Sequence, residues 1–215
     1  MTNKMLESIK KDYTLKKVDA GVFTKLTIQG AAVRTEAYDI EGLGRVSAIR
    51  LKCFFGFLKM DTLIINPLEK DMPIYYYNRL FAKGADTYRV ELLDSQLAPV
   101  SLDALSAIKE RYGHIADEMV QEKWYDEFRL PESTIKKASK KMTSEIDTMA
   151  MEYMEAYMEV LKEAPSCKAT QKKKKALSFV NGLAKQGGMS VVDIFIANYG
   201  EKITSKLCHE VLFGI

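Results

Sequence analysis

The segment 54–94 limits most strongly which folds this chain can adopt. It holds three runs rich in Val, Ile, Leu, Tyr and Phe, at 54–67, 73–80 and 87–93, and most of these residue types favour a pleated, half-buried strand. The breaks between the runs are short and contain turn residues. Because a parallel crossover needs a dozen residues or more, the segment predicts an antiparallel meander.

The rest of the chain predicts strands before this meander and helices after it. A short helix is predicted at 1–12 and strands at 15–29 and 31–38. The pattern changes to a period of 3.6 residues after Asp94, and it predicts helices at 102–111, 115–125, 132–163, 172–184, 191–199 and 201–212, the third of which is continuous or broken near Lys141. Strands followed by helices indicate an α+β fold.

Single residues mark several predicted boundaries. Ser101 is predicted to cap the first of the later helices, and Pro131 fits the first turn of the long one. Gly200 is expected to end the helix 191–199. The segment IEGLGR at 40–45 predicts a tight turn, because its glycine spacing fits no phosphate-binding fingerprint.

Composition and charge narrow the class of protein. The 215 residues are 47% hydrophobic and 28% charged, as in an ordinary globular protein, and we interpret 1–215 as a single domain. A net charge of +3 gives no reason to expect a nucleic-acid partner. Three scattered cysteines, no apolar core in the first residues and no apolar run of about 20 residues predict a cytoplasmic protein without a membrane partner.

Few residues form a recognisable chemical motif. The two histidines, His114 and His209, are far apart and lack ligand spacing, so no metal site is predicted. No nucleophile elbow, phosphate-binding loop or dinucleotide fingerprint occurs. The lysines Lys172, Lys173, Lys174 and Lys175 are the one concentration of charge, and they form either a solvated helix start or a docking surface for an acidic partner.

Two segments resemble the ferredoxin-dependent bilin reductases. In that family a helix ends in Phe-Gly, an acidic residue follows, and a last helix closes on Val-Leu-Phe-Asp. In the segment 189–215, the Phe-Gly pair corresponds to Tyr199 and Gly200, and the acidic residue corresponds to Glu201. Residues 211–213 match Val-Leu-Phe, and Gly214 stands in place of the aspartate. The central segment also follows the order of the family's motif positions, which are occupied here by Pro67, Asp71, Pro73, Asn78 and Asp94. The chain therefore resembles a distant member of this superfamily.

The resemblance implies a fold and a chemistry. The fold is a three-layer α/β/α sandwich, with a central antiparallel sheet and a linear tetrapyrrole held between the sheet and the C-terminal helices. Enzymes of this family bind no metal or flavin. They take single electrons from reduced ferredoxin, while carboxylates and a histidine of the protein supply protons.

The chain departs from the family at the residues that carry this chemistry. The family's aspartate, histidine, glutamate and second aspartate fall at Asn78, Thr62, Arg50 and Met189, which we take as candidate ligand-binding residues. Asn78 can hydrogen-bond a pyrrole or lactam but is no useful acid; the alternative role is to satisfy backbone groups at a strand end. Arg50 fits a propionate or faces solvent. Asp61, Glu69 and Asp71 are nearby carboxylates that could replace the missing acids, and we take Asp61, with Asn78, as a candidate catalytic residue.

The sequence leaves three functions open. The first is a bilin-reductase-like enzyme that takes electrons from ferredoxin docked at Lys172–Lys175. The second is a non-catalytic tetrapyrrole carrier on the same fold, which the missing acids favour. The third is an interaction protein that uses the helix 132–163 and the lysine run.

Overall fold

A computed structural model describes residues 1–53, 56–82 and 85–215, so the predicted start of the first meander run at Phe54 and the predicted turn residue Gly84 lie outside the described residues. The strands are β1 (Leu15–Val18), β2 (Lys25–Ile28), β3 (Ala31–Ile40), β4 (Gly44–Cys53), β5 (Leu58–Pro67), β6 (Ile74–Ala82), β7 (Ala85–Leu93) and β8 (Thr134–Ser139). The helices are α1 (Thr2–Asp12), α2 (Asp103–Arg111), α3 (Thr143–Glu163), α4 (Ala169–Gln186) and α5 (Ser190–Lys206), and the π-helical segment Leu207–Phe213 follows them.

The strands form one sheet in the order β1-β3-β4-β5-β6-β7-β8, with β2 paired to the other half of β3. Every pairing is antiparallel, and the meander predicted for 54–94 is confirmed as β5, β6 and β7. This register places Thr62 directly opposite Asn78, and Asn78 directly opposite Arg89.

The two faces of the sheet are covered by different helices. On one face Leu63, Tyr77 and Val90 pack in a core with residues of α1, α2 and α3. On the other face Ile64 and Tyr76 pack with α4, α5 and the segment Leu207–Phe213. Because strand residues alternate between faces, the strands β3 to β7 contribute to both cores. The predicted α+β class and three-layer sandwich are confirmed.

Two helix predictions are wrong at the edge of the sheet. The first part of the predicted helix 132–163 is the strand β8, which pairs with β7, while 115–125 runs beside β8 through the bonds Glu118 N–H to Ile135 O and Lys137 N–H to Ala116 O. An edge strand such as β7 exposes unpaired backbone groups that a further strand satisfies. The alternation of β8 is hidden because one of its buried positions is Lys136, paired with Asp117 at 2.7 Å.

The predicted helix boundaries are partly confirmed. Leu102, and not Ser101, occupies the cap position of α2, and the Ser101 hydroxyl accepts a long 3.4 Å bond from the Asp103 N–H. Gly200 interrupts α5 with φ +73°, a conformation that glycine adopts readily. Helical structure then resumes and ends at Phe213. Among the described residues, no helix combines the length and apolar character needed to cross a membrane.

Side chains of the sheet hold the terminal segment in place. The Arg45 guanidinium donates to the carbonyls of Glu210 and Val211, at 2.9 Å for the second. Ser47 donates to the Leu212 carbonyl at 3.1 Å and Asn66 to the Phe213 carbonyl at 2.7 Å. These carbonyls end a helix and would otherwise lack partners, so β4 and β5 act as the cap of the chain's last helical turn.

Two tyrosines in ring contact give a test of the core on the α3 side. The rings of Tyr75 and Tyr157 have centroids 4.9 Å apart. The Tyr157 hydroxyl donates to the Pro73 carbonyl at 2.7 Å, whereas the buried Tyr75 hydroxyl has no partner among the described residues. We expect Y157F to lower the free energy of unfolding by about 1–2 kcal/mol and Y75F to leave it unchanged or raise it. Urea unfolding measures both, and equal losses would contradict the assignment.

Candidate ligand-binding site

The sheet separates the five residues that were predicted to bind ligand or act in catalysis into two groups. Thr62 and Asn78 lie on the same face as Ile64 and Tyr76, under the C-terminal helices, and Met189 is buried in that core. Arg50 and Asp61 lie directly opposite each other on the face that carries α1 and α3. Since Asp61 and Thr62 are adjacent in one strand, their side chains must point to opposite faces.

The prediction that Asp61 acts beside Asn78 as a catalytic acid is therefore wrong. Its carboxylate accepts a hydrogen bond from the Met1 ammonium at 2.9 Å on the α1 side. Arg50 likewise cannot share a ligand with Asn78, because its guanidinium pairs with Glu36 at 2.7 Å on that same side. The backbones of β4 and β5 lie between these two residues and the face under the C-terminal helices.

Thr62 and Asn78 form a buried polar pair on this face. Both are buried, and the Asn78 Nδ2 donates to the Thr62 Oγ1 at 2.9 Å. The pair lies between Ile49 on β4 and Arg89 on β7, each directly opposite in the register. A carboxamide has two N–H donors and one acceptor oxygen, so this bond leaves Asn78 further capacity to bind polar groups.

A charged network that the sequence analysis missed continues this row on β7. Glu91 is fully buried, and its carboxylate lies 2.8 Å from the Arg129 guanidinium and 3.9 Å from that of Arg89. The Tyr125 hydroxyl donates to the second oxygen of Glu91 at 3.1 Å. Arg129 also lies over the Tyr125 ring, 5.7 Å from its centroid. The alternation of Arg89, Val90, Glu91 and Leu92 is the signal that places the two charges on one face.

The electrostatics of this network favour a fixed set of charges. Burial works most strongly against the charged form of Arg89, but Glu91 together with weaker contributions from Tyr76, Tyr125 and Glu118 raises the pKa of Arg89 above its ordinary value. Burial and the Glu91 carboxylate both raise the pKa of Tyr125, so its hydroxyl stays protonated and remains a donor. Arg89, with a side chain 12% exposed, is thus a permanent cation directly beside Asn78.

The connection between α4 and α5 is attached to the same network. The Tyr125 hydroxyl also lies 3.3 Å from the Gly188 carbonyl, and the Trp124 indole donates to the Gly187 carbonyl at 2.7 Å. Met189 follows this pair of glycines as the cap residue of α5 and is buried. Met189 is therefore held on the Asn78 side of the sheet, but as a member of the apolar core.

Lys172 does not belong to the surface that its neighbours form. It is fully buried, and its ammonium donates to the carbonyls of Met72 and Ser95 at 2.7 and 2.6 Å and lies 3.6 Å from the Asp71 carboxylate. Burial lowers its pKa. The prediction that Lys172 docks a partner is wrong, because its charge is used inside the protein. Lys173, Lys174 and Lys175 are exposed, and their docking role stays a prediction.

Comparison with known proteins identifies the fold. No protein-family model matches the chain, and no curated protein matches its sequence. Among solved structures it is similar to selenomethionine-labelled phytochromobilin synthase from tomato, crystallised in complex with biliverdin, with a TM-score of 0.77 and 11% sequence identity. The match covers 97% of this chain and 80% of that one. The chain therefore has the fold of a ferredoxin-dependent bilin reductase.

Proposed function

We propose that the protein binds a linear tetrapyrrole on the sheet face that lies under α4, α5 and the segment Leu207–Phe213. The observation that carries the proposal is the row of Thr62, Asn78 and Arg89 across three neighbouring strands of that face. A linear tetrapyrrole presents pyrrole N–H groups, lactam carbonyls and propionates. The row offers a hydroxyl, a carboxamide and a guanidinium, which are suitable partners for those groups.

The similar solved structure supports this choice of ligand. Phytochromobilin synthase from tomato was crystallised with biliverdin, and the antiparallel sheet with C-terminal helices on one face is shared at the level of the fold. Apolar residues surround the polar row, among them Met60, Ile64 and Tyr76. Binding sites for extended organic ligands usually combine an apolar lining with a few polar groups that orient the ligand.

Biliverdin titration tests the binding proposal. We expect a shifted and structured visible spectrum on addition of biliverdin, and at least about tenfold weaker binding by R89Q, because a charge-assisted hydrogen bond contributes about 1.5–3 kcal/mol. The matched control is R111Q, whose guanidinium is exposed on α2. Thermal melts establish that both variants fold. An unperturbed spectrum at tens of micromolar, or equal weakening by both variants, would contradict the proposal.

A second candidate function is reduction of the bound pigment with electrons from reduced ferredoxin. The shared fold favours it, but neither Thr62 nor Asn78 has an acidic proton at neutral pH. Glu91 is the buried carboxylate on this face among the described residues, and Arg129 and Tyr125 already occupy it. We therefore favour a carrier or sensor over a reductase for the unaltered chain.

Restoring an acid separates the carrier from the enzyme. We expect N78D, assayed with biliverdin and reduced ferredoxin, to raise the rate of pigment reduction at least about tenfold over the unaltered chain, because a positioned general acid contributes about 10²–10⁴-fold. N198D places the same change on exposed α5 and serves as the control. Turnover by the unaltered chain equal to that of N78D would instead show that it is itself a reductase with another proton source.

A further inference from the structure

A concave site lies on the opposite face of the sheet, between α1 and the outer strands. This cleft has a volume of about 740 Å³. Its floor is made by side chains of β3 and β4 that share one face, and its wall by α1; the lining residues are Asn3, Leu6, Glu7, Lys10, Ala32, Arg34, Glu36, Tyr38, Arg50 and Lys52. Its volume is that of sites that hold small organic molecules.

Positive charge dominates the cleft. Four of its lining side chains are cationic and two are acidic, which leaves a surplus of two positive charges. The acids are already paired, Glu36 with Arg50 at 2.7 Å and Glu7 with Lys10 at 2.7 Å. Arg34 and Lys52 have no ion pair or side-chain hydrogen bond within the described part of the chain, and both are exposed.

The register makes Arg34 a site of repulsion. It lies directly opposite Arg50 on β4 and directly opposite Lys25 on β2, so cations flank it on both sides of one sheet face. Like charges at directly opposite positions destabilise a sheet. An anion bound between Arg34 and Arg50 would replace this repulsion with two attractive contacts.

The chemistry of the lining defines the class of ligand. Two guanidinium groups on neighbouring strands suit a carboxylate or a phosphate, because each planar fork can donate two parallel hydrogen bonds to such a group. Leu6, Ala32 and the ring of Tyr38 supply apolar surface beside them. We propose that this cleft binds a small organic oxyanion, a carboxylate or phosphate monoester carried on an apolar body, at a site separate from the tetrapyrrole face.

The proposed oxyanion site in this cleft also gives a role to Arg50. This residue was expected to contact the tetrapyrrole, yet it lies on the α1 face. In the cleft its guanidinium is oriented by Glu36 and by the Asn3 side chain, and its side chain is 19% exposed. An arginine held by neighbouring side chains and still open to solvent loses little conformational freedom on binding an anion.

Titration with phenyl phosphate, benzoate and inorganic phosphate tests the proposal, followed by nuclear magnetic resonance of the backbone amides of Ala32 and Lys52. We expect saturable binding of phenyl phosphate or benzoate, with inorganic phosphate weaker because it lacks the apolar body. Added salt should weaken the binding. R34Q should weaken it at least tenfold, and the aromatic anion should raise the melting temperature of the unaltered chain but not of R34Q.

The control is K185Q, which removes an exposed cation on α4, on the other side of the sheet. Since Arg34 is exposed and lacks a partner among the described residues, R34Q should fold as the unaltered chain does, and thermal melts without ligand establish this. Equal weakening by K185Q and R34Q would reduce the effect to general charge attraction and overturn the proposal. Binding of polyglutamate but neither aromatic anion would overturn it in favour of a surface for an acidic protein, and no saturable binding at millimolar concentration would also refute it.

Discussion

K172A is expected to lower the free energy of unfolding by about 3–5 kcal/mol, which makes Lys172 one of the most sensitive positions in the chain. The substitution leaves the buried Asp71 carboxylate without its counter-charge and removes the donor from the Met72 and Ser95 carbonyls. Urea unfolding measures the loss. The neighbouring K174A removes an exposed lysine and should change the value by less than about 0.5 kcal/mol. Equal effects of the two substitutions would contradict the buried position of Lys172.

K172M separates the charge of this lysine from its packing. Methionine keeps most of the aliphatic stem, so K172M should cost less than K172A. The lowered pKa of Lys172 in the folded protein also predicts a pH dependence. Between that pKa and the ordinary value of 10.5, the unfolded chain binds more protons, so this lysine contributes stability that increases as the pH rises. As the pH rises through that window, the free energy of unfolding of the unaltered chain should therefore increase relative to that of K172M.

G44A is the second substitution with a large expected effect, a loss of at least about 3 kcal/mol, since overpacking and an unfavourable backbone conformation add. An added Cβ at Gly44 would lie 2.4 Å from the Asn66 carbonyl oxygen and 2.5 Å from the Leu68 nitrogen, and its φ of +135° favours glycine. Both neighbours are backbone atoms, Asn66 in the last part of β5 and Leu68 just after it. Moving either one away would therefore cost free energy.

Gly42, two residues earlier in the same turn, provides the matched control. Its φ is +75°, but an added Cβ meets no atom of the described residues within 4 Å. G42A should therefore cost only the conformational term of about 1–2 kcal/mol. Urea unfolding of both variants separates the steric effect from the backbone effect. If G44A were no more damaging than G42A, the close approach of β4 to the end of β5 would be refuted.

The antiparallel meander of β5, β6 and β7 was predictable because the signals along the chain are local. Short breaks between β-branched and aromatic runs set the antiparallel meander, and helical periodicity located α2, α4 and α5. β8 was missed because its pairing depends on the free edge of β7, which is distant in sequence, and because the buried Lys136 conceals the alternation. Tertiary pairing decided the structure of this short segment.

The candidate site was predictable only in part. Thr62 and Asn78 lie together, but their pairing depends on a register between β5 and β6 that residue spacing does not determine. The exclusion of Asp61 was available from the sequence, since it is the neighbour of Thr62 in one strand. The burial of Lys172 was also indicated, because it lies four and seven residues before Ala176 and Phe179, which are buried on the same side of α4.

The capping of Glu210, Val211, Leu212 and Phe213 by β4 and β5 has a consequence for how the protein is assembled. These contacts join residues about 150 or more positions apart, and such distant pairings form late, after the chain entropy of the intervening segment has been lost. We therefore expect the face that carries Thr62 and Asn78 to be covered only after the strands are in register. A chain that stalls before this last docking step exposes the apolar residues of that face, so biliverdin added during refolding is expected to reach the proposed tetrapyrrole site before α4 and α5 cover it.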